Sequence, residues 1–184
     1  STLFDTSPVA ITVVDAAGGI VRANAEAERV LGLRRTDITH RRYNDPAWHI
    51  VDYNGDSFPD EELPVARVLR EKRPVYGVEH AIQWPDGHRV LLSINAAPVL
   101  SERGDVSLVV CTVLDVSERR RAEAALKQSE ERFRALFEQS MDAISVSTPE
   151  GRGIQANRAW LQMFGYEPED VPHLQASDLY VEID

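Results

Sequence analysis

The sequence predicts an α+β chain: one curved, sheet-forming unit that starts a second time before the chain ends. Three observations predict it. The chain opens twice with the same motif. Each opening runs into a capped helix. In the first copy alone, a further helix and three long strands follow. The repeat is direct: a constant offset lays LFDTSPVAITV, from Leu3, on LFEQSMDAISV, from Leu136. The match continues through Gly18/Gly151, Ala23/Ala156, Asn24/Asn157, Gly32/Gly165 and Asp37/Asp170 without a gap.

In each copy a short apolar alternation (Ala10 to Val14 in the first) ends in a turn at Gly18 or Gly151. A second strand, Gly19 to Ala23, follows in the first copy. Asn24 and Asn157 then stand as N-caps, because an asparagine oxygen accepts from an orphan helix N–H. They predict helices over Ala25 to Leu31 and Arg158 to Phe164, each stopped by a glycine that tolerates the left-handed conformation. Further on, FPDEELP predicts the acid-rich opening of a longer helix, with Pro64 where a missing N–H is tolerated and Arg70, Lys72 and Arg73 at the negative end. Strands over Val75 to Trp84, His88 to Leu100 and Val106 to Asp115 complete the unit, the first two joined by a Pro85-Asp86-Gly87 turn. The second copy stops at Asp184, short of its own long helix and three strands, and is expected to be poorly ordered alone or propped against a neighbour. The ends STLF and VEID read as those of a cut segment.

The side-chain period of two sorts the strands into faces. Val90, Leu92, Ile94 and Ala96 are expected to point into the unit, as are Val109, Cys111 and Val113. Val110, Thr112 and Leu114 make the opposite face of the last strand, apolar enough to want a second cover from a helix or another subunit. On the first of the three strands, Tyr76, Val78, His80 and Ile82 share the inward face, so His80 is the one polar group aimed at the core.

Between the copies, Asp115-Val116-Ser117-Glu118 reads as a capping box, with Asp115 at the N-cap and Glu118 reaching back. The stretch ERRRAEAALKQSEERFRALFEQS holds no glycine or proline. Ala122, Leu126, Ser129, Phe133, Leu136 and Ser140 fall at alternating steps of four and three, a coiled-coil seam of about three heptads. The domain reading is therefore 1–116 for the complete unit, 117–140 for a helical linker and 136–184 for the start of the second. A homodimer along this helix is expected.

Composition narrows the function classes. With 20 basic against 30 acidic side chains in 184 residues, the chain carries a net charge of −10, which disfavours nucleic acid as a partner. The run Arg119-Arg120-Arg121 is embedded in acids and reads as a solvated helix face. No stretch approaches the roughly 18 apolar residues that span a bilayer, so no membrane contact is expected within the segment and a cytoplasmic setting is. The one cysteine, Cys111, forbids an internal disulfide. His40, His49, His80, His88 and His173 lack metal-ligand spacing. No nucleophile–base pair, phosphate loop or HExxH motif is present, so no enzyme is expected in this segment.

The stretches WPDGHRVLLSINAAPV, VVCTVLDVSERRRAE and SEERFRALFEQS, in that order, resemble the end of a PAS domain with its PAC-type motif and the start of another. DPAW, NGD and EELP add a likeness to one bacterial PAS subtype. The resemblance implies a five-stranded antiparallel sheet with helices on one face around a small pocket. It also implies a tandem sensor region of a signalling protein whose output domain, a histidine kinase or alternatively a cyclic-di-GMP synthase, lies elsewhere in the same chain. Carried onto this sequence, it makes Asp115 and Ser117 the tie between sheet and exit helix, with Arg119 or Arg120 as ion partners. From the heptad spacing, Ala122, Leu126, Phe133 and Leu136 are the expected dimer seam. The resemblance makes Trp48, Tyr76, His80, Ile82, Leu92, Ile94, Cys111 and Val113 the ligand-facing set, for a small apolar or aromatic molecule, with a ligand-free scaffold as the alternative. The light-sensing branch needs a cysteine on an early helix and amides where Ile82, Leu92 and Val113 stand. Covalent flavin photochemistry is therefore excluded. Haem is disfavoured, since residues 60–73 hold no histidine and only His49 would remain; the cofactor stays unknown.

Overall fold

The computed structural model describes residues 2–179, which divide into two compact units meeting at Arg120/Arg121. Unit 1 runs α1 (Thr2–Asp5), β1 (Ala10–Asp15), β2 (Ile20–Ala23), α2 (Ala25–Leu31), α3 (Arg35–Ile38), α4 (Pro64–Glu71), β3 (Val75–Gln83), β4 (Arg89–Leu100) and β5 (Val106–Asp115). Short 3-10 turns at Pro46–Trp48 and Asp60–Glu62 lead from α3 to α4. The five strands form one antiparallel sheet in the order β2-β1-β5-β4-β3, so the first strand pairs with the last and closes the unit.

Local chemistry explains most boundaries. The Asn24 side chain accepts from Ala27 N–H at 3.0 Å and starts α2; Gly32, at φ 68°, ends it. Gly32 also lies beneath Trp84: a Cβ there would come within 2.4 Å of the indole. Pro64 is the first residue of α4, and the acids expected in that helix's first turn occupy the preceding 3-10 turn instead. Several strand ends fall one residue inside the sequence reading, β3 ending at Gln83 and β4 starting at Arg89.

One face of the sheet carries the core. Ala27, Val30 and Leu31 of α2, Ile38 of α3 and Val65 and Val68 of α4 pack with Val14, Val90, Leu92, Ala96, Val109 and Val113. On the opposite face Ala81, Leu91, Val116 and Val51 make a small second cluster. Elsewhere on that outer face Leu114 is exposed and Val110 is half-buried.

A continuous helix, α5 (Ser117–Gln139), follows. Its start corrects the predicted capping box. Asp115 Oδ1 accepts from Ser117 N–H at 2.9 Å, and α5 begins at Ser117, so Asp115 lies one residue too early to be the N-cap. Unit 2 holds β6 (Ser145–Ser147), β7 (Gly153–Ala156) and α6 (Arg158–Phe164). Its two strands form an antiparallel pair, and Trp160 buries itself between Ala156 and Val171. No helix among the described residues is long and apolar enough to cross a membrane.

Candidate ligand cavity and exit joint

The sheet and the helices of unit 1 leave a cavity of about 70 Å³ between them. Seven of the eight residues assigned to it from the sequence line it: Trp48, His80, Ile82, Leu92, Ile94, Cys111 and Val113. Tyr76 does not. It stands 73 % exposed on the far side of β3, which corrects its assignment. Val75 pairs with Ala96 but Val78 with Ile94, so three steps on β3 face two on β4. That extra residue is a β-bulge, and it reverses the in–out alternation between Val75 and Val78. Val75 is thereby buried and Tyr76 turned out, while Gly77 takes φ 63° and donates its N–H to Asn95 Oδ1 at 2.8 Å.

The cavity wall is completed by Thr12, Val14 and Ile20 from the first hairpin, Leu31 from α2, and Tyr43, Ile50, Leu63 and Val65 from the connecting segments and α4. Sequence periodicity missed these because they come from separate elements. Lys, Arg, Asp and Glu are all absent from the lining. Its titratable groups are held neutral by burial, which pushes the Cys111 thiol up to about 12 and raises Tyr43, the latter with help from nearby Asp60. His80 is 4 % exposed, and its Nδ1 has no hydrogen-bond partner. Burial lowers its pKa from 6.5 to about 4, so it is the neutral imidazole near pH 7. The Ala81 backbone opposes that shift, which burial outweighs. Phe58 lies against the His80 ring at 5.5 Å, and Trp48 Nε1 donates to Arg42 O at 2.9 Å.

The sheet is fastened to α5 at its other end. Leu91 N–H donates to Ser117 Oγ at 3.0 Å, and Val116 N–H donates to Leu91 O at 2.9 Å. Arg119 reaches Glu79 of β3 at 3.0 Å and Arg120 grips the same carboxylate. Glu79, a residue the sequence reading passed over, is thus an ion partner shared by both arginines, while Asp115 accepts from the Ser117 backbone. Along α5, Ala122, Leu126, Phe133 and Leu136 are exposed, and Phe133 stacks on buried Phe137 at 5.5 Å.

A family model described as the PAS fold matches residues 4–121, and one described as the PAS domain matches residues 131–183. The chain belongs to the PAS family. Among curated proteins it is similar to sporulation kinase E of Bacillus subtilis (strain 168), 25 % identical over 173 residues, and to sporulation kinase A of the same organism, 25 % identical over 163. These alignments cover 88 % and 86 % of this chain but 20 % and 24 % of the kinases. Among solved structures, the PAS domain of a protein from Colwellia psychrerythraea superposes at TM-score 0.51 and 20 % identity, covering 64 % of this chain and 93 % of that one. An RNA-binding light-oxygen-voltage receptor superposes at 0.53 and 23 %, covering 71 % and 36 %. The five-stranded sheet of unit 1 is the PAS sheet, and PAS modules are sensory parts of signalling proteins.

The PAS repeat is also visible as one hydrogen-bonded node, built twice. Asn24 is fully buried; its Oδ1 accepts from Ile11 and Ala27 N–H, and its Nδ2 donates to Phe4 O and Val9 O. Asn157 is fully buried too, with Oδ1 accepting from Ile144 and Trp160 and Nδ2 donating to Phe137 O and Asp142 O. Each asparagine therefore ties the preceding helix to the strand and helix that follow. The sequence showed the cap; the other three bonds of each node needed the fold.

Proposed function

We propose that unit 1 is a sensory and dimerising PAS module of a sensor histidine kinase, and that α5 carries its state onward. The observation that carries this reading is the exit joint: β3 and β4 hold the first turn of α5 through Glu79 and Leu91, while β4 and β5 wall the cavity. A change in the cavity thereby strains the strands that grip the helix. The curated relatives, both named as kinases, support the parent's class; the kinase itself would lie outside these residues. A homodimer along the α5 seam, with a small molecule or another protein as the signal and a cytoplasmic setting, completes the proposal.

Filling the cavity from β5 tests the relay. Val113→Met should change amide exchange in residues 117–124 about fivefold while the sheet stays protected. A filled, folded cavity with unchanged α5 exchange would refute it. For the dimer, Leu126→Asp combined with Phe133→Asp should sediment as a monomer, and an unchanged dimer would assign pairing to another surface.

A further inference from the structure

We infer that the unit 1 cavity takes a compact, uncharged molecule of about four heavy atoms, mostly apolar, whose single polar group hydrogen-bonds to His80. The inference rests on the sensory reading and names the class of its ligand.

Size comes first. About 70 Å³ is half the roughly 150 Å³ of an apolar cavity that admits benzene. A short alcohol, ketone or amide fits that space, and a fused-ring cofactor does not. Charge comes second. The lining holds no cationic side chain to balance a carboxylate or phosphate and no carboxylate to balance an amine, so an ion entering it would lose its hydration without recompense. The third argument is the polar point in the wall. A histidine that is 4 % exposed with an orphaned Nδ1 is rare among buried polar groups, which are nearly always paired. Its Nδ1 has no partner within the unit, and the adjoining Ile82, Leu92 and Ile94 present only aliphatic side chains. Thr12 and Tyr43, the other hydroxyl-bearing residues of the lining, do not hydrogen-bond its Nδ1. A ligand hydroxyl, carbonyl or amide would complete His80 while its carbon body lies on the aliphatic wall.

Three probes on the 184-residue chain separate size, charge and the hydrogen bond: propan-2-ol, acetate and xenon, followed by NMR of the His80 ring and of the Leu92 and Val113 methyls. Propan-2-ol is expected to move both sets of signals and to bind at least about tenfold more tightly than acetate. Xenon is expected to move the methyls alone. His80→Leu should abolish the propan-2-ol response and keep that of xenon. His80→Gln, which restores a polar group, should keep propan-2-ol binding within about threefold and shows that loss in the leucine variant is not misfolding. Acetate binding as well as propan-2-ol, xenon entering where propan-2-ol does not, or a trapped water on His80 that no probe displaces would each overturn the inference. The relay stands or falls separately: altered α5 exchange in Val113→Met with no propan-2-ol binding sinks the ligand class alone. Propan-2-ol binding with α5 unmoved in Val113→Met sinks the relay alone.

Discussion

Units 1 and 2 begin as the same object and end as different ones. Both fold a helix, a short hairpin and a capped helix around a buried asparagine that makes four hydrogen bonds of 2.9–3.0 Å. Unit 1 then adds α4 and three long strands, and β5 returns to pair with β1 along its full length. Among the described residues, β6 of unit 2 pairs only with β7, and Ile144, Val146, Ile154 and Phe164 keep more than a third of their surface exposed. The lesson is a division of labour. The asparagine node organises the entry to a PAS unit locally, whereas the cavity and core require the distant strands.

The largest expected effect breaks the shared part. Asn24→Ala removes the partner of the Ile11 and Ala27 N–H groups and of the Phe4 carbonyl, leaves Val9 O only its bond from Ser7 Oγ, and should destabilise unit 1 by about 4 kcal/mol in chemical denaturation followed by Trp48 and Trp84 fluorescence. Asn157→Ala cuts the same four bonds in unit 2. It should raise amide exchange over residues 144–160 and leave the unit 1 midpoint where it was.

The next effect probes what unit 1 has and unit 2, among its described residues, lacks. His80 has a folded pKa of about 4 against 6.5 when unfolded, so the unfolded chain takes the proton first as pH falls. Its contribution to stability is unaffected above pH 6.5 and declines between 6.5 and 4. The total loss is about 3 kcal/mol relative to a His80→Phe variant, read as the difference between the two pH–stability curves. Parallel curves would mean the imidazole is solvated in the folded state.

Two smaller effects sharpen the picture of the long strands. Val75→Ala should cost about 2 kcal/mol and Tyr76→Ala less than about 0.5, a ranking opposite to their sizes that only the bulge explains. Glu79→Gln should cost under about 1 kcal/mol, a loss that shrinks in high salt, because the pair with Arg119 and Arg120 is partly exposed. Its clearer readout is faster exchange in the first turn of α5.

These contrasts also explain what the sequence could and could not disclose. The span Ala25–Leu31 was legible to the residue because its cap and stop, Asn24 and Gly32, act within one turn. The inward faces of β4 and β5 were legible from alternation. Tyr76 was misplaced because a bulge is a relation between two strands; Gly77, a glycine inside a strand pattern, was the available signal. Glu79 escaped notice because its meaning depends on the first turn of α5, forty residues later in the chain. The cavity wall draws on β1, β2, α2 and α4 as well as the long strands, a juxtaposition no single-element period encodes.

What Asn157 grasps on α5 is the carbonyl of Phe137, a main-chain atom, and Asn24 holds the corresponding atom of Phe4 in the same way. An anchor addressed to the peptide bond makes no demand of its own on side-chain identity, and only the buried Phe137 ring adds one. Genes that splice one such module behind another would therefore need to preserve length, helical phase and an apolar residue at the anchor, while the rest of the rod could be spelled freely.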